Sequence, residues 1–374
     1  MGHLGIGKAD VFRALAHRLD QNPTGAPMNE TLMQILHIMY SEPEAQIGST
    51  FPQGFTTSDK IAKASGLPEA TVHAHLESMA NKGLIIDVPR KGKSLYMLSP
   101  LVIGFFEYTF MRVTDQLPMH DLAHLFEQYH LERGVSESFF GAETKMFQTW
   151  PYESTLPDAA VETEVMPYEK ASAMIRDAGG GSLTMCYCRH QAWHRGTACD
   201  APLQDVCTSL GTASEFLVRR GFARPATVDE LLRVLEQTEK LGLVHLADNV
   251  QNRPAYLCHC CGCCCGALRV LNEQGIPSVH PSNYIPVIDA ARCTGCGACV
   301  DACHVHALAL IDSEPGAKTR RQAMVLTERC IGCGACIQRC SRRAMTLHRR
   351  THLHIPPKDK REQLSRIAKE KGQS

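Results

Sequence analysis

The stretch ARCTGCGACVDACHVHALAL (291–310) aligns without a gap on ERCIGCGACIQRCSRRAMTL (328–347), and the two copies carry eight of the chain's 18 cysteines. Their spacing is identical, Cys293-x2-Cys296-x2-Cys299-x3-Cys303 and Cys330-x2-Cys333-x2-Cys336-x3-Cys340, with 37 residues between equivalent positions. A C-x2-C-x2-C run wraps three soft thiolates around the corners of a [4Fe-4S] cube, and the fourth Cys of each copy reaches the other cube. Cys293, Cys296, Cys299 and Cys340 are therefore expected to share one cluster, and Cys330, Cys333, Cys336 and Cys303 a second. A disulfide framework would predict irregular spacing instead of two intact copies.

Glycines at 295, 297, 332 and 334 let the backbone approach the inorganic sulfurs and point amide N–H groups at them. Ile285–Asp289, Leu308–Ile311 and Ala323–Thr327 carry the β-branched and apolar residues of short flanking strands. The repeat resembles the bacterial two-[4Fe-4S] ferredoxin module, which implies that fold for residues 281–350. One position departs from the family. Its usual Pro after the fourth Cys is His304 in the first copy and Ser341 in the second, so the turn there is expected to be less rigid.

The rest of the 374-residue chain is ordinary in composition, with 44% hydrophobic residues and zero formal net charge. No global field argues for nucleic acid or membrane. No run of 18 apolar residues occurs, and no charged n-region precedes an apolar h-region, so neither a spanning helix nor a secretory signal is expected. Thiolates this dense call for a reducing compartment, which points to a cytoplasmic protein of an anaerobe. Neither a G-x-G-x-x-G after a strand nor a P-loop is present, so no dinucleotide site or ATP hydrolysis is indicated.

Residues 1–115 contain no Cys. Asn29–Tyr40 places Leu32, Ile35, Leu36 and Met39 on one helical face. Thr57–Ser65 is a second helix stopped by Gly66, and Pro68–Lys82 a third with a Val72, Leu76 and Met79 stripe and a stop at Gly83. Leu84–Val88, a basic turn at 89–93 and Leu95–Leu98 follow as a hairpin. This order resembles a winged helix-turn-helix. The third helix presents Glu69, Thr71, His73, His75 and Glu77 and no cation before Lys82, although the wing has Arg90, Lys91 and Lys93. A groove-reading helix presents cations, so a structural or partner-docking role is preferred to DNA binding.

Val102–Met111 and Leu122–Leu131 read as apolar helices leading to a Pro-bearing loop at Trp150–Pro157. The two Phe-Phe pairs and Trp150 read as core. Gly179–Gly181 marks a loop before Ser182–Tyr187, and Thr227–Leu241 is a helix with a Thr227/Glu230 capping box. Residues 116–280 are expected to form a mostly α, cysteine-rich domain. The region from 341 onward holds ten Lys or Arg against three Asp or Glu, and residues 351–374 read as a basic tail, either a solvated helix or a patch for an acidic partner.

Ten further cysteines fall in two blocks. Cys186, Cys188, Cys199 and Cys207 lie in CYCRHQAWHRGTACDAPLQDVC, and Cys258, Cys260, Cys261, Cys263, Cys264 and Cys265 in CHCCGCCCG. Four sulfurs suffice for one cubane or one tetrahedral zinc, so these blocks are expected to hold one or two further sites, iron–sulfur in preference to zinc. His190, His194 and His259 read as hydrogen-bonded to a sulfur or placed at the surface in preference to being ligands, and Arg189 as a donor to a cluster sulfur. With HRLD near residue 20, MPYEKA (166–171), the Cys186–Arg189 run and the two cysteine-rich segments, nearly the whole chain resembles a set of 4Fe-4S dicluster proteins from sulfate reducers and related anaerobes. The resemblance implies redox function.

The overall expectation is a multidomain α+β protein that carries single electrons between redox partners, an electron carrier or redox subunit in preference to a stand-alone enzyme. Two alternatives remain open at this point: a redox-sensing winged-helix regulator, and an oxidoreductase whose active centre is an unusual cluster within 186–265.

Overall fold

The computed structural model describes residues 8–156, 169–313 and 319–373; of the MPYEKA segment, 166–168 lie outside them, as does the last residue of the loop at 150–157. Helices Lys8–Asp20, Glu30–Met39 and Glu42–Ser49 open the chain. Asn29 caps the second through its side chain, which accepts the Leu32 N–H, and Leu32, Ile35, Leu36 and Met39 are fully buried. Helices Ser58–Ser65 and Glu69–Lys82 end at left-handed Gly66 and Gly83. Strands β1 (Ile85–Arg90) and β2 (Lys93–Leu98) then form an antiparallel hairpin with Arg90 opposite Lys93 at its tip.

The expected helix over 102–111 is interrupted. Ile103 takes φ 49° and Gly104 is extended, so a regular helix covers only Phe106–Phe110. The Glu107 carboxylate folds back to accept the Gly104 N–H at 2.8 Å, an acceptor that competes with helical pairing of the preceding turn. The Phe-Phe pairs at 105–106 and 139–140 and Trp150 are buried, as core.

The middle of the chain is not mostly α. Strands β3 (Phe147–Trp150), β4 (Gly181–Thr184), β5 (Cys207–Leu210), β6 (Arg224–Ala226), β7 (Val244–Asp248), β8 (Tyr256–Cys260) and β9 (Val279–His280) form one seven-stranded sheet in the order β6-β4-β5-β8-β7-β3-β9. All its pairings are antiparallel except β3 with β9. The expectation fails for a physical reason. These strands are short, and β3, β5 and β7 are buried along their whole length, so no polar–apolar alternation marks them. Helices Ala171–Ala178 and Val228–Lys240 cover one face, packing Ile175, Leu231 and Leu235 on Leu183, Leu210 and Leu257. The other face, with Leu246, Cys258 and Cys260, joins a core continuous with the N-terminal helices.

Strands β10 (Tyr284–Ile288), β11 (Leu308–Asp312), β12 (Arg321–Val325) and β13 (Met345–Arg349) make two ribbons, β10 with β13 and β11 with β12. The C-terminal helix Lys360–Glu370 is docked on the body and not simply solvated. The buried Gln363 amide donates to the carbonyls of Lys145 (3.0 Å), Met146 (3.1 Å) and Asn249 (3.3 Å), Ile367 is buried, and Lys360 pairs with buried Asp248. Among the described residues no helix is long and apolar enough to cross a membrane.

Candidate metal centres

The ferredoxin-like repeat folds its two cysteine runs into two matching loops. Cys293, Cys296, Cys299 and Cys340 line one small cavity, and Cys303, Cys330, Cys333 and Cys336 line the other. Each cavity thus draws three cysteines from one run and the fourth from the other. Amide donors reach the sulfurs: Ala307 N–H to Cys303 Sγ (3.2 Å), Ala344 N–H to Cys340 Sγ (3.3 Å) and Ala323 N–H to Cys293 Sγ (3.5 Å). The turn after each fourth Cys, where the ferredoxin family has Pro, is closed by the His306 N–H on the Cys303 carbonyl (3.2 Å) and by the Arg343 N–H on the Cys340 carbonyl (2.9 Å). Gly332 has φ 69°, and a Cβ there would press into the Tyr284 carbonyl and the Ser282 hydroxyl. A residue with a side chain would push this loop away from its cavity. Eight soft thiols, amide donors and tight glycine turns fit two iron–sulfur cubanes.

The ten upstream cysteines separate into two groups. The sheet sets this up: β4 ends at Thr184, paired with Cys207 at the start of β5, and the β5–β8 register with Thr208 opposite Leu257 carries Cys207 to the level of Cys258. Three distant chain segments thereby reach one end of the sheet. Cys258 and Cys260, two apart in β8, share a face, and His259 points to the opposite one.

Six buried thiols stand there as a chain of neighbours: Cys186 beside Cys207, Cys207 beside Cys258, then Cys260, Cys265 and Cys188. Their protons are shared unequally. Cys207 and Cys265 are held well below the usual thiol range by hydrogen bonds from neighbouring thiols, Cys186 and Cys258 for the first and Cys188 and Cys260 for the second. Cys186 and Cys188 are held up by donating those bonds and by burial.

The other four, Cys199, Cys261, Cys263 and Cys264, bring their sulfurs within 4.8 Å of one another. Cys199 and Cys261 stand 3.6 Å apart, Cys263 and Cys264 3.7 Å, and Cys264 and Cys199 3.9 Å. Cys263 is exposed and Cys261 and Cys264 are buried. The Cys261 thiol is lowered by its hydrogen bond with Cys264 and by the Arg189 guanidinium. Arg189, itself buried, lies beside Cys186, Cys261 and Cys207, between the two groups, and donates to the carbonyls of Pro202 and His259 (2.7 Å for the latter). The expectation of a sulfur partner or a surface position fails for His190 and His259, which are buried and whose ring nitrogens bond other groups: His190 the Phe110 carbonyl (2.8 Å) and His194 (3.2 Å), and His259 the Thr238 hydroxyl (2.9 Å), because remote segments pack over them.

The upstream region and the ferredoxin-like repeat are tied together at His304. Its Nδ1 accepts the Gly262 N–H (3.1 Å), its Nε2–H donates to the Gly242 carbonyl (3.0 Å), and Asn272 donates to its carbonyl (2.9 Å). The two ring contacts require the neutral Nε2–H tautomer. Gly262 must be glycine here, because a Cβ would press into the His304 carbonyl. Of the two residues that depart from the ferredoxin pattern, His304 is thus the one that docks the module onto the CHCCGCCCG turn. Tyr152 adds a second tie, donating its N–H to the Cys333 carbonyl (3.0 Å) and its hydroxyl to the Leu243 carbonyl (2.6 Å).

A feature that the sequence reading missed lies beside the six thiols. Cys207 and Cys258 border a mostly apolar cavity of about 410 Å³ with Ile103, Glu107, Tyr187 and Lys360. Burial pushes the Glu107 carboxyl up to about 7. A lone Glu in an aromatic run gives no sign of this from sequence, since the neighbours that bury it come from remote segments.

A comparison with curated proteins finds no match to the chain. The family model described as 4Fe-4S dicluster domain matches residues 292–344, so the C-terminal part of this protein is a ferredoxin-like iron–sulfur module.

Proposed function

We propose that this protein is an electron carrier in which Cys293, Cys296, Cys299 and Cys340 hold one cubane, Cys303, Cys330, Cys333 and Cys336 hold a second, and the six buried cysteines at the sheet end hold a further cluster. The observation that carries the reading is the docking of the dicluster module, through His304, onto the turn that continues from β8 and its Cys258 and Cys260. A [4Fe-4S] group held by four cysteines supplies a one-electron couple with no open coordination position. The chain's own residues do the rest. Amides of Ala307, Ala323 and Ala344 favour thiolate sulfur, burial of Cys299, Cys330 and Cys336 keeps water away, and exposed Cys296 marks the edge where a redox protein would approach.

The helices at 58–65 and 69–82 with the β1–β2 hairpin are read as a winged-helix unit used for internal docking in place of DNA reading. Glu77 on the second helix pairs with Arg220 (2.8 Å), Arg220 and Arg219 pair with Asp87 of β1, and Lys82 is turned back onto Glu44 (2.6 Å). A second reading, an oxidoreductase acting at the six-cysteine site, is favoured by the cavity beside Cys207, Cys258 and Glu107.

Anaerobic iron and sulfide analysis with electron paramagnetic resonance of the reduced protein tests the first reading. More than about eight irons per chain is expected, because two cubanes account for eight. Iron at or below that number would remove the upstream cluster. A signal from the upstream centre that small molecules perturb would favour the oxidoreductase, since a closed cubane binds none.

A further inference from the structure

We propose that Cys199, Cys261, Cys263 and Cys264 bind one tetrahedral zinc ion, separate from every iron–sulfur centre of the chain. The spacing of the sulfurs carries the inference. A zinc–thiolate bond is about 2.3 Å, so the edge of a regular S4 tetrahedron around one ion is about 3.8 Å. The observed separations of 3.6, 3.7 and 3.9 Å bracket that value, and all four sulfurs fall within 4.8 Å. The thiolates of a cubane bind four different irons at the corners of a cube and stand much further apart.

The protein contains its own standard for the comparison. Among the described residues, this is the one group of three or more metal-capable side chains so tightly gathered. Neither cysteine set of the ferredoxin-like module reaches that density, nor does the six-thiol group. Local sequence agrees. Cys261, Cys263 and Cys264 follow one another with a single Gly262 between them, too short a run to wrap three corners of a cube, and Cys199 closes the set from the loop after the helix Tyr187–His194.

The charge is consistent with one divalent cation. Four thiolates around zinc leave two negative charges, and the buried guanidinium of Arg189 lies beside Cys261 to offset part of them. With four protein sulfurs and no open position, the ion is structural. It would fix the turn whose Gly262 N–H donates to His304, holding the loop after the 187–194 helix to the end of β8.

The test uses the full chain, produced anaerobically with iron in excess of zinc, and measures zinc, iron and acid-labile sulfide in the parent, Cys263→Ser and Cys199→Ser. About one zinc per chain is expected in the parent, as one four-sulfur site requires, with its loss in both variants and iron and sulfide unchanged. Loss of several irons together with sulfide would overturn the proposal in favour of a cluster. Loss of a single iron without sulfide would overturn zinc as the metal, and zinc retained in both variants would overturn the ligand set. If the variants fail to fold, parent protein stripped of zinc and titrated with Co(II) decides the matter. One equivalent giving tetrahedral cobalt–thiolate bands that zinc abolishes supports the site, and their absence refutes it.

Discussion

Replacing His304 by Ala should loosen the ferredoxin-like module from the rest of the chain without emptying it. The ring makes two hydrogen bonds across this junction, one from Gly262 N–H and one to the Gly242 carbonyl. A hydrogen bond contributes about 1 kcal/mol net. Both His304 and Gly262 are half-buried, so water partly replaces the lost partners and the sum stays at about 2 kcal/mol. That is a factor of about 30 in the opening equilibrium of the junction. Amide hydrogen exchange in peptides containing 242 and 262 reads this quantity directly, under anaerobic conditions where the clusters persist. His304→Asn places an acceptor near the position of Nδ1 and should retain the Gly262 bond, whereas His304→Gln places a donor near Nε2 and should retain the Gly242 bond. Each is expected to show roughly half the effect in free energy, since the bonds lie on opposite ends of the ring. Unchanged exchange in His304→Ala would refute the docking role. So would loss of module iron in that variant, because it would make His304 a support of Cys303 in place of a bridge.

Cys296→Ala should release iron from the module and destabilise it, because cluster binding and folding are coupled; a variant with the parent's iron content would contradict the ligand assignment. Glu107 titrates near 7 in the folded protein against an ordinary value of 4.5, so between those values the folded chain keeps a proton that the unfolded chain has lost. Stability should therefore fall as pH rises through that window, by up to about 3 kcal/mol, and Glu107→Gln should abolish the fall. Denaturation midpoints measured across the window check this, and a Gln variant with the parent's slope would assign the decline elsewhere. Gln363→Ala should cost about 2 kcal/mol, because one buried amide serves three backbone carbonyls. An unchanged urea midpoint would show that the C-terminal helix is held by other contacts. Cys264→Ala should remove zinc and Cys265→Ala iron, although the two residues are adjacent; a metal profile common to both would merge the two upstream sites into one.

What was legible in the sequence had local causes. The cysteine runs are a chemical pattern written over eleven residues, and the helix ends at Gly66, Gly83 and the Thr227/Glu230 capping box are set by immediate neighbours; the box is present, with Thr227 accepting the Glu230 N–H. The seven-stranded sheet was not legible, because β5 reads CTSL and β8 YLCHC, and cysteines that look like a ligand block are also strand residues buried on both sides. The basic C-terminal segment misled in the same way. Its lysines suggest a solvated face, yet Lys360 is paired with Asp248 and Lys371 with the carbonyls of Thr24 and Ser138. Those partners lie more than a hundred positions away, beyond any window that periodicity can search.

The partition of the upstream cysteines follows from one change of backbone form. Along β8 the side chains alternate, so Cys258 and Cys260 face the thiols brought by β5 and the 187–194 helix. At Cys261 the strand ends and a turn begins, and alternation no longer governs direction: Cys261, Cys263 and Cys264 swing toward Cys199. Cys265 is the N-cap of the short helix Gly266–Arg269 and returns to the first group beside Cys188 and Cys260. A strand, a turn and a cap in eight consecutive residues thus deal their sulfurs to two centres. The close approach of the His304 carbonyl at Gly262 then makes the turn, the point where the two sets diverge, also the point where the ferredoxin-like module is held.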